Sequence, residues 1–331
     1  MRVEKLHFRL HSSYNTFLES MSATLYYSLP FKNLLEDFLQ CSSHYMVALE
    51  GDKVCGILPL MSKNGLYGEV LNSLPFYGSN GGIIANNAEA SFLLRESYNQ
   101  LASVFASANY IQNPLIIESG GILHDFVDRR LSQWTKLVDR DSLLASFAPS
   151  ARRNIKKALK ENIKVAITRE IDFLYQTHRK NILANNGIPK EKRFFEKIAK
   201  YFENTEYKIY MAFYNNKPIA ASLLFYFGGI VEYYTPATLL EFRNLQALPL
   251  LIYIAMAEAY ESGCQWWNWG GTWRSQESLY KFKEKFGAME KRYNYYCKLN
   301  NQKILNAEAS ELLREYPYFY VVPFSILRES E

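Results

Sequence analysis

Cysteine is scarce in this sequence of 331 residues: Cys41, Cys55, Cys264 and Cys297 stand alone, with no CxxC pair. That excludes a disulfide scaffold and a Cys-based zinc site, and it points to a reducing compartment. The five histidines (His7, His11, His44, His124 and His178) show no HExxH or other metal-ligand spacing, so no metal is expected. GxSxG and Cys-His signatures are absent as well, which argues against a covalent serine or cysteine nucleophile. No run approaches the roughly 18 consecutive apolar residues of a membrane span; the best, residues 248–257, is too short. The first ten residues, MRVEKLHFRL, interleave charge with apolar side chains and lack the apolar core of a signal peptide, so a cytoplasmic location is expected. Charge of one sign is also missing: 38 bases against 33 acids leave +5. This permits an anionic ligand without implying DNA.

Aromatic residues are what the sequence has in excess, with 25 Tyr, 21 Phe and 5 Trp. Such a chain is not expected to be disordered. Tyr and Trp suit sites where one end of a ring is buried and the other meets a polar ligand, although sheet cores account for most such residues. At roughly 100–200 residues per domain the length predicts two domains.

An internal repeat gives that number a structure. Residues 45–60 read YMVALEGDKVCGILPL and residues 210–225 read YMAFYNNKPIAASLLF. Each is an apolar strand, a turn (Gly51-Asp52, then Asn215-Asn216) and a second apolar strand, the signature of a β-hairpin. After the first copy come a Gly-rich segment (74–82), a helical stretch (88–107) and a short strand (114–118). After the second come a strand (230–238), a helix (249–262) capped by Gly263, and a strand (264–269). Between the units, helices are predicted over 141–147, 150–161, 170–181 and 190–204, with a strand over 163–168. Residues 293–300 suggest a closing hairpin turning through Asn300-Asn301, followed by a last helix over 307–315.

Three motifs could carry chemistry. In residues 149–160, PSARRNIKKALK, Ser150 reads as the N-cap and Arg152 and Arg153 fall in the first turn, where a cation opposes the helix dipole. Arginines beside free helix N–H groups form a phosphate receptor; the plain alternative is a solvated basic face. In residues 74–82, LPFYGSNGG, the glycines allow close backbone approach to an anion or a carbonyl; the alternative is an ordinary loop. In residues 266–272, WWNWGGT, a Trp-rich strand enters a Gly-Gly turn, and LYKFKEKFG follows as a short helix stopped by Gly287. The dipole favours Lys281, Lys283 and Lys285 at that helix's C-terminal end. A lysine there could equally contact a phosphate or an oxyanion.

Taken together and in this order, the motifs LPFYGSNGGI, SARRNIKKALKENIKV and NWGGT…LYKFKEKFGA resemble the Fem-type (FemABX-like) acyltransferases, over about residues 45–290. The resemblance implies an α/β (α+β) chain of two tandem GNAT-like, acyl-CoA N-acyltransferase-like domains, each with a mixed central sheet flanked by helices. They are expected over 1–145 and 146–331, with the last residues free to pack back on the first domain. It implies transfer of an acyl or aminoacyl group onto an amine of a cell-envelope or polysaccharide precursor, a small-molecule or lipid-linked sugar or peptide, with transient contact at the inner-membrane surface allowed. By the same analogy Arg152 and Arg153 would contact acceptor phosphates, and Tyr77, Asn80 and Gly81 would line the acceptor's path in a cleft between the domains. Phe282 and Lys283 match the family's Phe-Lys pair near the donor channel, where the lysine could steady charge on the acyl carbonyl. On the splayed strands of such a fold Glu232, Tyr233, Tyr234 and Asn268 are the polar candidates, with Glu232 a candidate general base.

Two departures leave the acyl donor open between acyl-CoA and aminoacyl-tRNA. The long helical arm of family members that handle tRNA has no counterpart, because the stretch 170–204 is broken by Asn185-Asn186-Gly187-Ile188-Pro189. The glycine-containing acetyl-CoA loop is also missing, since the stretch before the second helix reads RNLQAL at 243–248. The alternatives are an acetyl-CoA-dependent N-acetyltransferase acting on an amino sugar, and a non-catalytic module of this fold that binds a glycan or phosphorylated ligand. Nucleic-acid binding through residues 152–160 is disfavoured because no RNA-binding motif accompanies the local charge.

Overall fold

The computed structural model describes residues 1–21, 23–76, 78–117, 120–185, 187–272 and 276–327. The chain forms two compact units: Met1–Leu131 with Arg292–Glu331, and Ser132–Lys291. The division therefore falls at 131 rather than near 145, and the final forty residues belong with the first unit. Among the described residues no helix is long and apolar enough to cross a membrane.

In the first unit the hairpin of Met46–Glu50 and Lys53–Leu58 turns at Gly51, whose φ of 61° suits a residue without Cβ. It lies in a four-stranded antiparallel sheet with Arg2–Lys5 on one side and Ile84–Ala85 on the other. The helix Ala88–Ala102 packs against that hairpin through Leu94 and Tyr98. A Cβ on Gly56 would lie 2.9 Å from Leu94 Cδ1 and 3.3 Å from Ala90 Cβ, so a larger residue there would make the Leu94 side chain shift. Asn87, not a residue within the helix, caps it by accepting from the Ala90 N–H at 2.8 Å. The helix ends at Ala102, short of the expected 107, because Ser107–Ile111 is a strand, parallel to Gly68–Asn72. The strand expected at 114–118 is absent from its described part: Pro114 lies in a turn. Residues 293–300 make no hairpin either. The strand Met289–Leu299 pairs its end, Tyr295 to Leu299, with Ser107–Ile111, and Asn300 donates to the carbonyls of Ala102 and Phe105. The asparagines are used as side-chain bridges, not as a turn.

In the second unit Lys164–Thr168, Tyr207–Tyr214, Lys217–Phe227 and Ile230–Thr238 form an antiparallel run, and Trp266–Gly271 joins it parallel to Ile230–Thr238. Leu224 and its neighbour Phe225 show the two faces of this sheet, since successive side chains alternate. Leu224 joins a core with Ile155, Leu251 and Met256 from the helices Pro149–Lys160 and Ala247–Glu261. Phe225 packs on Phe202 and Tyr234 under the helices Ile171–Leu183 and Lys192–Tyr201. In both units a helix connects two parallel strands, Gly68–Asn72 with Ser107–Ile111 and Ile230–Thr238 with Trp266–Gly271. The repeat read from the hairpins therefore extends to the crossover.

The basic helix begins one residue earlier than expected. Pro149 is its first residue and Ala148 its N-cap, so Ser150 does not cap it. Proline is favoured there because its missing N–H would lack a partner in the first turn anyway.

Candidate functional site

The parallel ladder between Ile230–Thr238 and Trp266–Gly271 holds only for Ile230, Val231 and Glu232 against Trp266, Trp267 and Asn268. A register shift opposite Leu223 and Leu224 then leaves Tyr234 without a partner in the antiparallel ladder, a bulge that re-aims the strand. Where the strands have parted lies a cavity of about 550 Å³ inside the second unit. Tyr233, Pro236 and Thr238 line it from the strand, Ala247, Leu248 and Pro249 from the first turn of Ala247–Glu261, and Phe282, Lys283 and Phe286 from the helix Glu277–Glu284 and the turn after it.

Two features suit this cavity to a phosphate-bearing ligand. The helix Ala247–Glu261 has no acidic residue in its first turn, and Arg243 lines the same space as Ala247 and Leu248, so a helix N-terminus and an arginine border one volume. The residue before the helix, Gln246, adopts a left-handed φ of 59° without being glycine. Gln246 thus holds a backbone conformation usually left to glycine, at a point where the sequence has none. An aromatic wall stands beside it: Tyr233 packs on Trp269 at 5.0 Å, and Trp269 on Phe286 at 5.4 Å. The Tyr233 hydroxyl has no hydrogen-bond partner among the described residues.

Lys283 is the buried lysine of this site, 3% exposed. It sits in the helix Glu277–Glu284, and its Nζ donates to the Gly271 carbonyl at 3.1 Å and the Thr272 hydroxyl at 2.7 Å. Removal from water disfavours the charged form and pulls its pKa from 10.5 down to about 7. Its neighbours differ: Lys281 is exposed and paired with Glu277 at 2.5 Å, and Lys285 is exposed. The dipole argument that made all three lysines ordinary holds for Lys281 and misses Lys283.

Glu232 and Asn268 are brought together elsewhere. Asn268 Nδ2 donates to Glu232 Oε2 at 2.7 Å across the last paired rung, and Asn268 Oδ1 accepts from the Gly270 N–H at 2.8 Å. Neither lines the cavity. Tyr234 is stacked on Phe194 at 5.8 Å, with Lys190 Nζ 5.0 Å from its ring centre. Burial raises its pKa, and its hydroxyl has no partner among the described residues. Tyr234 likewise lies outside the cavity.

Arg152 and Arg153 flank a separate hollow of about 280 Å³ with Pro149 and Lys156. The helix there has no side-chain cap and no acid in its first turn. Arg152 is half-buried and donates to the Ala145 carbonyl at 3.3 Å, while Arg153 is exposed. In the first unit Gly81 is held tightly: its carbonyl accepts from the Tyr27 hydroxyl, and a Cβ would lie 2.5 Å from the Ser73 carbonyl oxygen. Asn80 is buried, with an Oδ1 that lacks a partner among the described residues. Tyr77 lies outside the described residues.

Gln133 was invisible to the sequence reading, and Thr272 was only part of a motif. Gln133 falls in a strand of mixed side chains with no spacing signal. Arg243 and Gln246 were read only for the glycine they lack.

The FemAB family model matches residues 176–294. That span holds the hairpin, the diverging strands and Lys283. No curated protein matches the sequence. Among solved structures the chain is similar to FemX, with a TM-score of 0.73 at 14% identity over 92% of this chain and 98% of that one. It is similar to the C-terminal domain of a putative lysylphosphatidylglycerol synthetase from Agrobacterium fabrum, with a TM-score of 0.57 at 13% identity over 95% and 99%. A tandem GNAT protein from the clavulanic acid biosynthesis pathway matches with a TM-score of 0.50 at 10% identity over 89% and 98%. The fold is that of tandem GNAT-like proteins, the matched segment is FemAB-like, and together they support a transferase.

Proposed function

From a FemAB-like segment carried on a tandem GNAT-like fold, we propose that this protein moves an acyl or aminoacyl group from an activated ester or thioester onto an amine of a cell-envelope or polysaccharide precursor. The observation that carries this reading is Lys283, a buried lysine without a counter-ion among the described residues, lining a cavity at the point where two parallel strands part. A structural lysine would reach solvent or a carboxylate; one kept dry in a cavity is suited to proton transfer or to a developing oxyanion. Arg243 and the first turn of Ala247–Glu261 offer a place for donor phosphate, whether of coenzyme A or of a tRNA end.

In this reading Glu232 and Asn268 brace the strands at the last shared rung, so Glu232 sets the divergence and does not serve as base. Arg152 and Arg153, with Lys156 beside them, receive the acceptor's phosphate. Asn80 and Gly81 join the acceptor contacts through the family resemblance, as does Tyr77. Phe282, on the cavity wall 5.2 Å from Phe286, keeps water from the acyl group.

The test is transfer by the purified chain from radiolabelled acetyl-CoA in one arm and charged tRNA in the other, with amino-sugar nucleotides and lipid-linked precursors as acceptors. Labelled amide is expected with one donor, and Lys283→Ala should lower kcat by about 10²–10³-fold, the magnitude typical of removing a proton-transfer or oxyanion group. No product with either donor, together with saturable glycan binding, would make the protein a binding module instead.

A further inference from the structure

The hydrogen bonds around Lys283 fix more than its position. Gln133 Nε2 donates to the Tyr280 carbonyl at 3.2 Å, which settles the orientation of the amide, because only its nitrogen can donate. Its Oε1 therefore faces Thr272, whose single hydroxyl hydrogen it accepts at 2.9 Å. With that hydrogen committed, the Thr272 oxygen can only accept from Lys283, as the Gly271 carbonyl also does. Nζ thus has two acceptors and, among the described residues, no carboxylate within ion-pair distance. An amine has two hydrogens and a lone pair, and an ammonium has three hydrogens. Two acceptors satisfy the first, and among the described residues the protein offers no third acceptor to the second. The other charged groups lining the cavity, Arg243 and Lys285, are cations as well and oppose a third positive charge. On its own helix Glu277 is paired with Lys281 and Glu284 is exposed, while Tyr233 is the phenol that lines the cavity.

We propose that Gln133 and Thr272 are positioning residues that hold Lys283 as a neutral amine, and that Lys283 carries the proton of the transfer reaction. This rests on the acyl-transfer reading above. The acceptor nitrogen's lone pair forms the C–N bond at the donor carbonyl, and the proton it sheds goes to the Lys283 lone pair. When the tetrahedral carbon expels the donor's oxygen or sulfur, the electron pair of the breaking bond takes that proton back from Nζ. Atoms and charge balance without metal or redox partner. Burial is consistent with this role, since it brings the amine into the range where a general base works near neutrality.

Two measurements on the full chain test it. Competitive acetylation by acetic anhydride, read on the Lys283 peptide by mass spectrometry across pH, needs no turnover. A midpoint near 7 supports the amine, whatever the protein's activity, and a midpoint near 10 overturns it. A chain that labels near 7 yet transfers nothing would sink the function proposed above and leave the amine state standing. In the transfer assay, kcat/KM should rise about tenfold per pH unit up to the labelling midpoint and then level. Thr272→Val and Gln133→Leu should lower kcat about 10–100-fold with KM unchanged, and Thr272→Ser should restore most of it. Lys283→Arg, a permanent cation, should be nearly inactive. Substantial activity in that variant, or a rate that falls above pH 7, would make Lys283 a cation for the oxyanion and overturn the proposal.

Discussion

A lysine taken out of water without a counter-ion costs stability, and Lys283 shows where that cost is felt. Its folded pKa of about 7 lies below the unfolded value of 10.5, so between those values the unfolded chain binds more protons than the folded one. Stability from this group is full above pH 10.5 and is lost as pH falls toward 7, at up to about 1.4 kcal/mol per pH unit while one proton separates the two states. Lys283→Met should therefore raise Tm, and by more at pH 7 than at pH 10; an equal gain at both would show that folding leaves the Lys283 pKa unshifted. Such a residue was only half legible. The sequence placed Lys283 near the C-terminal end of a helix, where the dipole makes a lysine unremarkable. Its burial depends on the Gly271 carbonyl, Thr272 and Gln133, the last brought in from a strand far away in sequence.

At the level of elements, local chemistry was read well where it was decisive. The two hairpins follow from turn residues with positive φ, Gly51 in one and Asn215 and Asn216 in the other. The segment 88–107 was misjudged at its end, because the small residues of Ser103 to Ala108 fit a helix locally while pairing with Gly68–Asn72 makes part of them a strand. The basic helix Pro149–Lys160 keeps a start that no capping side chain stabilises, with Ala148 at φ −56° and ψ 149°, a non-helical conformation such as a cap requires. Ala148→Asp should stabilise the free protein by about 0.5–2 kcal/mol, by accepting from first-turn N–H groups and matching the dipole. The same carboxylate should weaken inorganic phosphate binding at Arg152 and Arg153, measured by calorimetry. A variant that gains stability and binds phosphate unchanged would remove the anion-receptor reading of this helix.

For the molecule as a whole, the two units differ in how the chain builds them. The second is continuous, residues 132–291, and holds its own core of Leu224, Leu251 and Trp267. The first needs residues 292–331, whose Tyr320 exchanges two hydrogen bonds with the Asn72 side chain, both at 2.8 Å, and whose Tyr316 hydroxyl donates to the Gly68 carbonyl at 2.8 Å. A fragment of residues 132–291 should unfold cooperatively in urea, whereas residues 1–131 alone should show no cooperative transition. A folded 1–131 fragment would mean that the tail is dispensable. The sequence by itself determined the repeat, the hairpins, the helix faces and the motifs that resemble the Fem-type enzymes, because turn chemistry and periodicity act over a few residues. Only the tertiary structure decided that the strands part beyond Glu232 and Asn268, that the tail completes the first unit, and which of three similar lysines is dry. Each of those depends on pairing and burial between residues far apart in the chain, which no local pattern records.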